Sequence, residues 1–564
     1  MAMIRLLVSC QPSRFTVLVF VTAIALLVVF ETSRYLHTKT NHSLSYIGRV
    51  DAPRRAMSTQ RDSSQKPNIL FLLVDDLGYN DVGYHAKKGG SAIRTPAIDE
   101  LAEQGVKLEN YYVQPLCSPT RSQLMTGRYQ IHMGIQHYLF EHARPHCLPL
   151  DEVTLPTKLK EAGYSTHAIG KWHLGFCHKA CLPTSRGFDT FFGLYTGGGD
   201  HWYYNRSMEG HREFSGHDLH DDTAKELRNV RQYDGIYSAE LFTSRAQEII
   251  KTRQEDQPFF LYLAYKNVHF PLQAPERYKN LYRDSINNAA YRQTYAGMVS
   301  AVDESVRNLT KTLWEEGVWD NTIIIFSSDN GGSLNTFGNN WPLRGGKAFL
   351  NEGGVRAVGF VSSPLLPKAV RGTINTQLIH VSDWLPTLVR SVAGGQTNGT
   401  KPLDGYDVWQ TISQGAVSPR TEILHNIDPM FDYAEITHED QALLDSLPGD
   451  QRFDPGFRAA IRVGDWKLLT GSSGCPFWRR PPESPDLIPI QSCPGSSSNA
   501  IQLYNIRYDP RETCNVARDH KELVLKLLQR LQFYQSGAVP ANFPATDSRA
   551  NPLLHGGLWM PYLD

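Results

Sequence analysis

The chain lacks a charge excess of either sign. Lys and Arg total 57, and Asp and Glu total 57, which excludes the basic field of a nucleic-acid-binding protein. It lacks compositional bias: 41% of residues are hydrophobic and 20% charged, so neither a disordered nor a collagen-like bulk fits. No internal repeat is found, which excludes a repeat architecture. Cysteine is sparse, with eight in 564 residues. No second pair repeats the spacing of Cys177 and Cys181, which argues against a zinc ligand set. The length is too great for one simple core and implies a large domain with a smaller one.

Long apolar runs are absent but for one. Phe15 to Phe30 carries no charge and follows Arg5 and Arg14. It exceeds most signal-peptide cores, and no small-x-small cleavage site follows it. Residues 15–31 are therefore read as a signal anchor, with a cleaved signal peptide as the alternative. Residues 1–14 are the cytosolic or signal n-region, and the polar residues 32–65 a stem or linker. Either reading sends the bulk into the secretory pathway. Sequons at Asn41, Asn205, Asn308 and Asn398 agree with that compartment. Setting aside Cys10 and Cys117 leaves Cys147, Cys177, Cys181, Cys475, Cys493 and Cys514. Disulfides are expected there, with a pairing that sequence does not choose.

Order begins at "PNILFLLVDDLG", where Ile69 to Val74 is apolar on both faces, as a buried parallel strand requires. "TPAIDELAEQG" and "LPTKLKEAG" read as helices with Pro near the start and Gly at the stop. "YSTHAIG", "PFFLYLAY", "NTIIIFSSDNGG" and "VRAVGFVSS" read as further strands, with a helix over Tyr291 to Trp314. Such alternation predicts an α/β fold, a mostly parallel sheet with helices on both faces, over residues 66–417. Residues 418–564 change grammar: antiparallel strands in "FRAAIRVGDWKLLTG" and "IQLYNIRYDP", then an amphipathic helix, predict a smaller α+β subdomain. The Pro-rich "PFWRRPPESPDLIPI" reads as an irregular loop, closed by Cys475 and Cys493.

Ligands of open α/β sheets bind beyond the carboxyl ends of the strands. Asp75 and Asp76 follow the first strand, Lys171 and His173 the "STHAIG" strand, His269 the "FFLYLAY" strand, and Asp329 and Asn330 the "IIIFSS" strand. Asp75, Asp76, Asp329 and Asn330 are hard oxygen donors that suit Ca²⁺ or Mg²⁺. Lys171, His173, His269, Lys347 and Arg121 add cationic or proton-donating groups, so an anionic substrate group such as sulfate or phosphate is implied. "CSPTRSQLMTGRY" reads as a turn and a helix start, where unpaired N–H groups favour an anion and a thiol at Cys117 is expected to ionise more easily.

Cys117-Ser118-Pro119-Thr120-Arg121 fits the C-x-P-x-R signature of the sulfatases. "NILFLLVDDLGYNDVGYH", "GKWHLG", "RGFDTFFG", "VHFPLQAP", "SSDNGG", "NNWPLRGGK" and "GDWKLLTG" resemble arylsulfatases too. The likeness runs from about Pro67 to the C-terminus and is nearest the branch with arylsulfatase B, an N-acetylgalactosamine-4-sulfatase, and arylsulfatases I and J. It implies an alkaline-phosphatase-like fold with a smaller C-terminal sheet domain. It implies oxidation of Cys117 to formylglycine by the formylglycine-generating enzyme, and one Ca²⁺ held by Asp75, Asp76, Asp329, Asn330 and the modified Cys117. Arg121 supports the formylglycine and His173 bonds to it, while Lys171, His269 and Lys347 contact sulfate. His269 protonates the leaving alcohol, helped by an acidic lumen given an ordinary His pKa of about 6.5. Cys147 and Cys181 match a family disulfide, whereas Cys177 and Cys514 match no family cysteine. "KAFLNEGG" after Lys347 departs from the family's aromatic-rich stretch, which bears on sugar specificity.

The implied activity is hydrolysis of sulfate esters on sulfated carbohydrate, such as N-acetylgalactosamine 4-sulfate units of glycosaminoglycans. The lysosome is the expected compartment, with a membrane-anchored Golgi or ER form or a secreted form as alternatives. A phosphatase or phosphodiesterase of the same fold would need a Ser or Thr nucleophile and a two-zinc ligand set. A non-catalytic glycan-binding matrix protein would show losses among the site residues, and none is found.

Overall fold

A computed structural model describes residues 65–564 except 209–210, 288, 449–451, 476 and 494–498. The apolar run at 15–31, residues 32–64 of the stem and Asn41 lie outside the described residues. Among those described, no helix is long and apolar enough to cross a membrane.

The elements that place the site are, in chain order, β1 (Asn68–Val74), α1 (Pro96–Gln104), α2 (Cys117–Thr126), β2 (Ser165–Lys171), β3 (Thr190–Leu194), α3 (Ser238–Thr252), β4 (Phe259–Tyr265), α4 (Ala290–Glu315), β5 (Thr322–Ser328) and β6 (Gly359–Ser362). A nine-stranded sheet runs in the order 373–375, 106–108, β6, β5, β1, β4, β2, β3, 220–223. Strands β5, β1, β4, β2 and β3 are parallel to their neighbours within that series. Their ends are level: Val74 lies opposite both Ser328 and Tyr265. The strand in "VRAVGFVSS" is shorter than the motif and antiparallel, with Phe326 opposite Phe360.

The double-sided burial expected of β1 is present. Ile69, Phe71 and Leu73 enter one apolar core with Leu124 of α2, while Leu70, Leu72 and Val74 enter another with Phe242 of α3 and Val302 of α4. Asp303 of α4 accepts a hydrogen bond from the Ile98 amide near the start of α1 at 2.9 Å, tying two helices of that layer. Burial outweighs this amide and pushes the Asp303 carboxyl up to about 7.

A separate antiparallel sheet follows, of β7 (Glu422–Asp428), β8 (Arg458–Val463), β9 (Trp466–Thr470) and β10 (Ile501–Asn505), with α5 (Lys521–Ser536) across one face. Leu424, Ile461, Leu468 and Leu503 meet Val524 and Leu528 of the helix there. Buried charges tie this sheet to the segment that leads into β6: Lys467 of β9 reaches Glu352 at 2.9 Å, and also Glu512, beyond β10, at 3.0 Å.

Cys147 and Cys181 are disulfide-bonded, as the resemblance implied. Cys493 is bonded to Cys514, not to Cys475. Backbone placement explains the correction. The Cys493 amide donates to the Thr513 carbonyl at 2.9 Å, which sets the two cysteines side by side. The Cys475 amide donates instead to Asn351 Oδ1 at 2.6 Å, and its thiol is free and buried. Cys177 is also free, with its sulfur 3.9 Å from that of Cys181. Of the remaining sequons, Asn205 and Asn398 are exposed and Asn308 is half-buried on α4.

Two outcomes follow. Unfolding without reductant and alkylating should tag Cys177 and Cys475 but spare Cys147, Cys181, Cys493 and Cys514 in peptide mass spectra; tagging of Cys514 would contradict the pairing. Asp303 has a raised folded-state pKa, so its burial is free of charge cost near pH 4 and increasingly costly as pH rises toward 7. The Asp303→Asn variant should thus gain stability relative to the parent between pH 4 and pH 7.5, by about 3 kcal/mol in chemical denaturation. A pH-independent difference would be inconsistent with this.

Candidate active site

The parallel register carries the ends of β1, β5, β4 and β2 to one edge. Asp75 and Asp76 leave β1, and Asp329 and Asn330 leave β5 beside them: the Asp76 amide donates to Asp329 Oδ1 at 3.1 Å. Asn330 Nδ2 donates to Asp76 Oδ1 at 2.8 Å. Asp76 and His173 both have positive φ, 59° and 54°, a conformation costly for residues other than Gly and typical of functional sites.

Three bases meet the three acids. Arg121, one turn into α2, donates to Asp329 Oδ2 at 2.8 Å and to the Lys171 carbonyl at 3.0 Å. Lys171, the last residue of β2, reaches Asp75 Oδ2 at 2.5 Å. Lys347 reaches Asp76 Oδ1 at 2.7 Å. His269 stands farther off, 3.9 Å from Asp76. Arg121, Lys171, Asp75 and Asp329 have no side-chain exposure. Such charges tolerate burial only because each is paired.

Cys117 is the first residue of α2, as its motif predicts. It shares the edge: its sulfur, one oxygen of Asp75 and one of Asp329 all lie within 4.8 Å of one another. Asp75, Asp76 and His269 form a second such group. Ser118 Oγ donates to the His173 carbonyl at 3.1 Å, tying the start of α2 to the loop after β2. The expected lowering of the thiol's pKa does not occur. Burial pushes the Cys117 thiol up, against the opposing pull of Lys171 and Lys347. A buried, protonated thiol is a poor nucleophile.

Burial likewise pushes the Asp75 carboxyl up to about 7, aided by Asp329 and opposed by Lys171. Burial also disfavours the Asp76 anion, but the charge of Lys347, with hydrogen bonds from Lys347 and Asn330, outweighs it and holds that carboxyl well below its usual range. Burial, then Lys347, pushes His269 well below the ordinary imidazole range. An acidic lumen therefore does not by itself charge His269 in the free site. His173 is pushed down in the same way.

The donors fit a hard divalent cation. Asp75, Asp76, Asp329 and Asn330 offer only oxygens, and Asp75 Oδ1 and Asn330 Oδ1 are buried without a hydrogen-bond partner. With each acid already matched to a base, a cation and an anion arriving together disturb the charge balance little.

Every residue predicted for the site lies at this edge. Reading strand ends missed three supports. Tyr262 of β4 accepts from Arg121 at 3.4 Å. Asn340 donates to the Gly332 and Gly345 carbonyls at 2.9 and 3.1 Å, shaping the loop that ends in Lys347. Gly197 and Gly198 lie against the rings of His173 and His269, and a Cβ on Gly197 would stand 2.5 Å from the His173 ring. The glycine run after β3, "GGGD", was a legible signal, being the sequel of a fifth strand.

The pattern of the sulfatase family matches residues 67–394. The chain belongs to the sulfatase family. Mouse arylsulfatase J is 47% identical over 506 residues, covering 88% of this chain and 81% of that protein. Human N-acetylgalactosamine-6-sulfatase is 30% identical over 372 residues, 63% of this chain and 67% of that protein. Among solved structures, Ps i-CgsB in complex with k-i-k-neocarrahexaose superposes with a TM-score of 0.68 at 28% identity, covering 87% of this chain and 98% of that one. This sulfatase is accordingly a sulfuric ester hydrolase with the alkaline-phosphatase-like fold.

Within this sulfatase, Arg121 is the keystone of the buried charges. Replacing it by Met strands the Asp329 carboxylate and should cost about 3–5 kcal/mol. The denaturation midpoint of Arg121→Met should fall correspondingly, and more than that of Lys347→Met, because Lys347 keeps 14% side-chain exposure. Equal midpoints for the two variants would refute that ranking.

Proposed function

We propose that the substrate is a sulfated sugar, with N-acetylgalactosamine 4-sulfate units of glycosaminoglycans as the reference case, and that Cys117 acts after conversion to formylglycine beside one Ca²⁺. The observation that carries this reading is the meeting of Cys117, four oxygen donors and three bases at one sheet edge. The relative named an N-acetylgalactosamine-6-sulfatase supports an amino-sugar substrate. Asp75, Asp76, Asp329 and Asn330 are the residues that would hold the ion, whose chemistry is to neutralise sulfate oxygens and lower the pKa of a bound hydroxyl. Formylglycine at position 117 supplies, as its hydrate, a hydroxyl nucleophile with a second hydroxyl on the same carbon.

The chain's own side chains supply the rest. Lys171 and Lys347 balance the negative charge of the sulfate group as the ester bond breaks. His269 gives the leaving alcohol its proton at Nε2; its Nδ1 is 2.7 Å from the Phe270 carbonyl, which favours a proton on Nδ1 and keeps Nε2 for exchange. An arriving sulfate raises the His269 pKa by its charge, so imidazolium forms with substrate and not before. His173 takes the proton from the position-117 group when sulfate is released. Arg121 holds Asp329 and the end of β2 in place.

The burial of all ten residues of α2 supports modification before folding, because no modifying enzyme reaches a helix without exposure. In this reading the formylglycine-generating enzyme is a partner in the endoplasmic reticulum, and the mature protein belongs to the lysosome or elsewhere along the secretory pathway. The boundary near residue 417 and an N-terminal membrane anchor belong to the same reading.

Mass spectrometry of the peptide spanning residue 117, from protein made in eukaryotic cells, should show the aldehyde in place of the thiol. Cys117→Ala should lower kcat on a sulfated sugar by about 10³-fold or more. Chelation should abolish turnover, and Ca²⁺ should restore it. An unmodified cysteine in a fully active preparation would overturn the mechanism, and a panel of 4- and 6-sulfated amino sugars would settle the position cleaved.

A further inference from the structure

The Pro-rich segment after Cys475 plays no part in the chemistry above. It forms a cleft of about 360 Å³ lined by Phe477, Trp478, Arg479, Arg480 and three prolines. The chemistry of this lining is specific. Two guanidinium groups stand beside two aromatic rings, and among the described residues no carboxylate lines the cleft. Arg479 donates to the Leu334 carbonyl, and Arg480 to the carbonyls of Pro485 and Leu487, all of them neutral acceptors. Among the described residues neither arginine has a carboxylate partner. The nearby acid Glu483 is engaged by Arg292 at 2.9 Å. Phe477 is 48% exposed although it is a large apolar ring. A larger cleft, of about 810 Å³ beside the start of α5, differs on each point: Asp519 and Glu522 line it, and its Arg518 is ion-paired with Glu439.

The smaller cleft is joined to the active site by the loop that ends in Lys347. The Gly345 amide donates to the Phe477 carbonyl at 3.4 Å, and Asn339 Nδ2 to the Arg479 carbonyl at 3.0 Å. Arg344 donates to the Cys475 carbonyl at 2.5 Å, and its guanidinium lies 5.2 Å from the centre of the Trp478 ring. The cleft wall and the Lys347 loop are thus one hydrogen-bonded assembly. Uncompensated arginines suit planar or tetrahedral oxyanions, and aromatic rings suit the apolar face of a pyranose.

We propose that this cleft is a second subsite for a sulfated glycan, in which Arg479 and Arg480 bind the carboxylate or sulfate of a sugar other than the one being desulfated and Phe477 packs against its ring. The proposal rests on the sulfated-sugar reading of the active site and extends it from one residue to an oligosaccharide. It predicts that affinity for chain substrates is partly set far from the sulfur and is weakened by salt.

Two measurements separate the proposal from the reading beneath it. The Arg479→Gln/Arg480→Gln variant should raise KM for a chondroitin sulfate hexasaccharide about tenfold, with kcat and the hydrolysis of a small aryl sulfate unchanged. Unchanged kinetics on both substrates would overturn the subsite, and equal losses on both would assign the arginines to folding instead. The second measurement needs no turnover: full-length Cys117→Ala protein is titrated calorimetrically with the hexasaccharide and with an unsulfated hyaluronan hexasaccharide. Binding of both that the two arginine substitutions weaken assigns a carboxylate ligand, and such binding of the sulfated one alone assigns sulfate. Binding of neither, or binding indifferent to the substitutions, overturns the proposal. Absence of hydrolysis of any sulfate ester by the parent would defeat the sulfatase mechanism while leaving the titration to decide the cleft. Should the double variant not fold, Phe477→Ala serves in its place, and hexasaccharide affinity unaffected by that change would also overturn the subsite.

Discussion

Parallel pairing of adjacent strands is the constraint on which the molecule depends. Because β5, β1, β4 and β2 are neighbours that all run one way, their carboxyl ends come out at one edge. Residues far apart in sequence are thereby neighbours without any loop having to find them. Asp75 and Asp329 are 254 positions apart yet a bond from Asp76 to Asp329 closes at 3.1 Å. The two apolar cores on either face of β1 hold the strands in register, so packing far from the site sets distances within it.

That edge is crowded with charge, and burial makes each charge dependent on another. Arg121, Lys171 and Lys347 match Asp329, Asp75 and Asp76 one to one. In the proposed mechanism the same groups serve a cation and a sulfate. A site built this way is balanced when free and readily rebalanced when a dication and an anion enter together. The cost is that no member is dispensable: removing one base leaves a buried acid unpaired.

Much of this was legible along the chain. The alternation of apolar runs and helices, the polar groups after each run, and the Cys117–Arg121 string all concern neighbours in sequence, and local pattern reports them well. The β6 direction was not legible, because a short apolar run reads the same in either direction and only its partner decides. Nor was the Cys493–Cys514 bond, which depends on the Cys493 amide lying against Thr513 and on Asn351 holding Cys475 elsewhere. The acidity of Cys117 was misjudged for a related reason. A helix start lowers a thiol pKa when it is open to solvent, but here the whole helix is buried and desolvation wins.

The sequence by itself determined which chemical groups exist: a cysteine in the C-x-P-x-R signature, hard oxygen donors, bases for an oxyanion, and a Pro-rich segment with paired arginines. Only the tertiary structure decided which groups meet and what state they hold. It set Lys347 on Asp76 and Arg121 on Asp329, left Arg479 and Arg480 without carboxylate partners among the described residues, and pushed the Asp75 carboxyl up to about 7. The physical reason is that Coulomb energy and desolvation depend on distance and burial in three dimensions, which residue order does not contain.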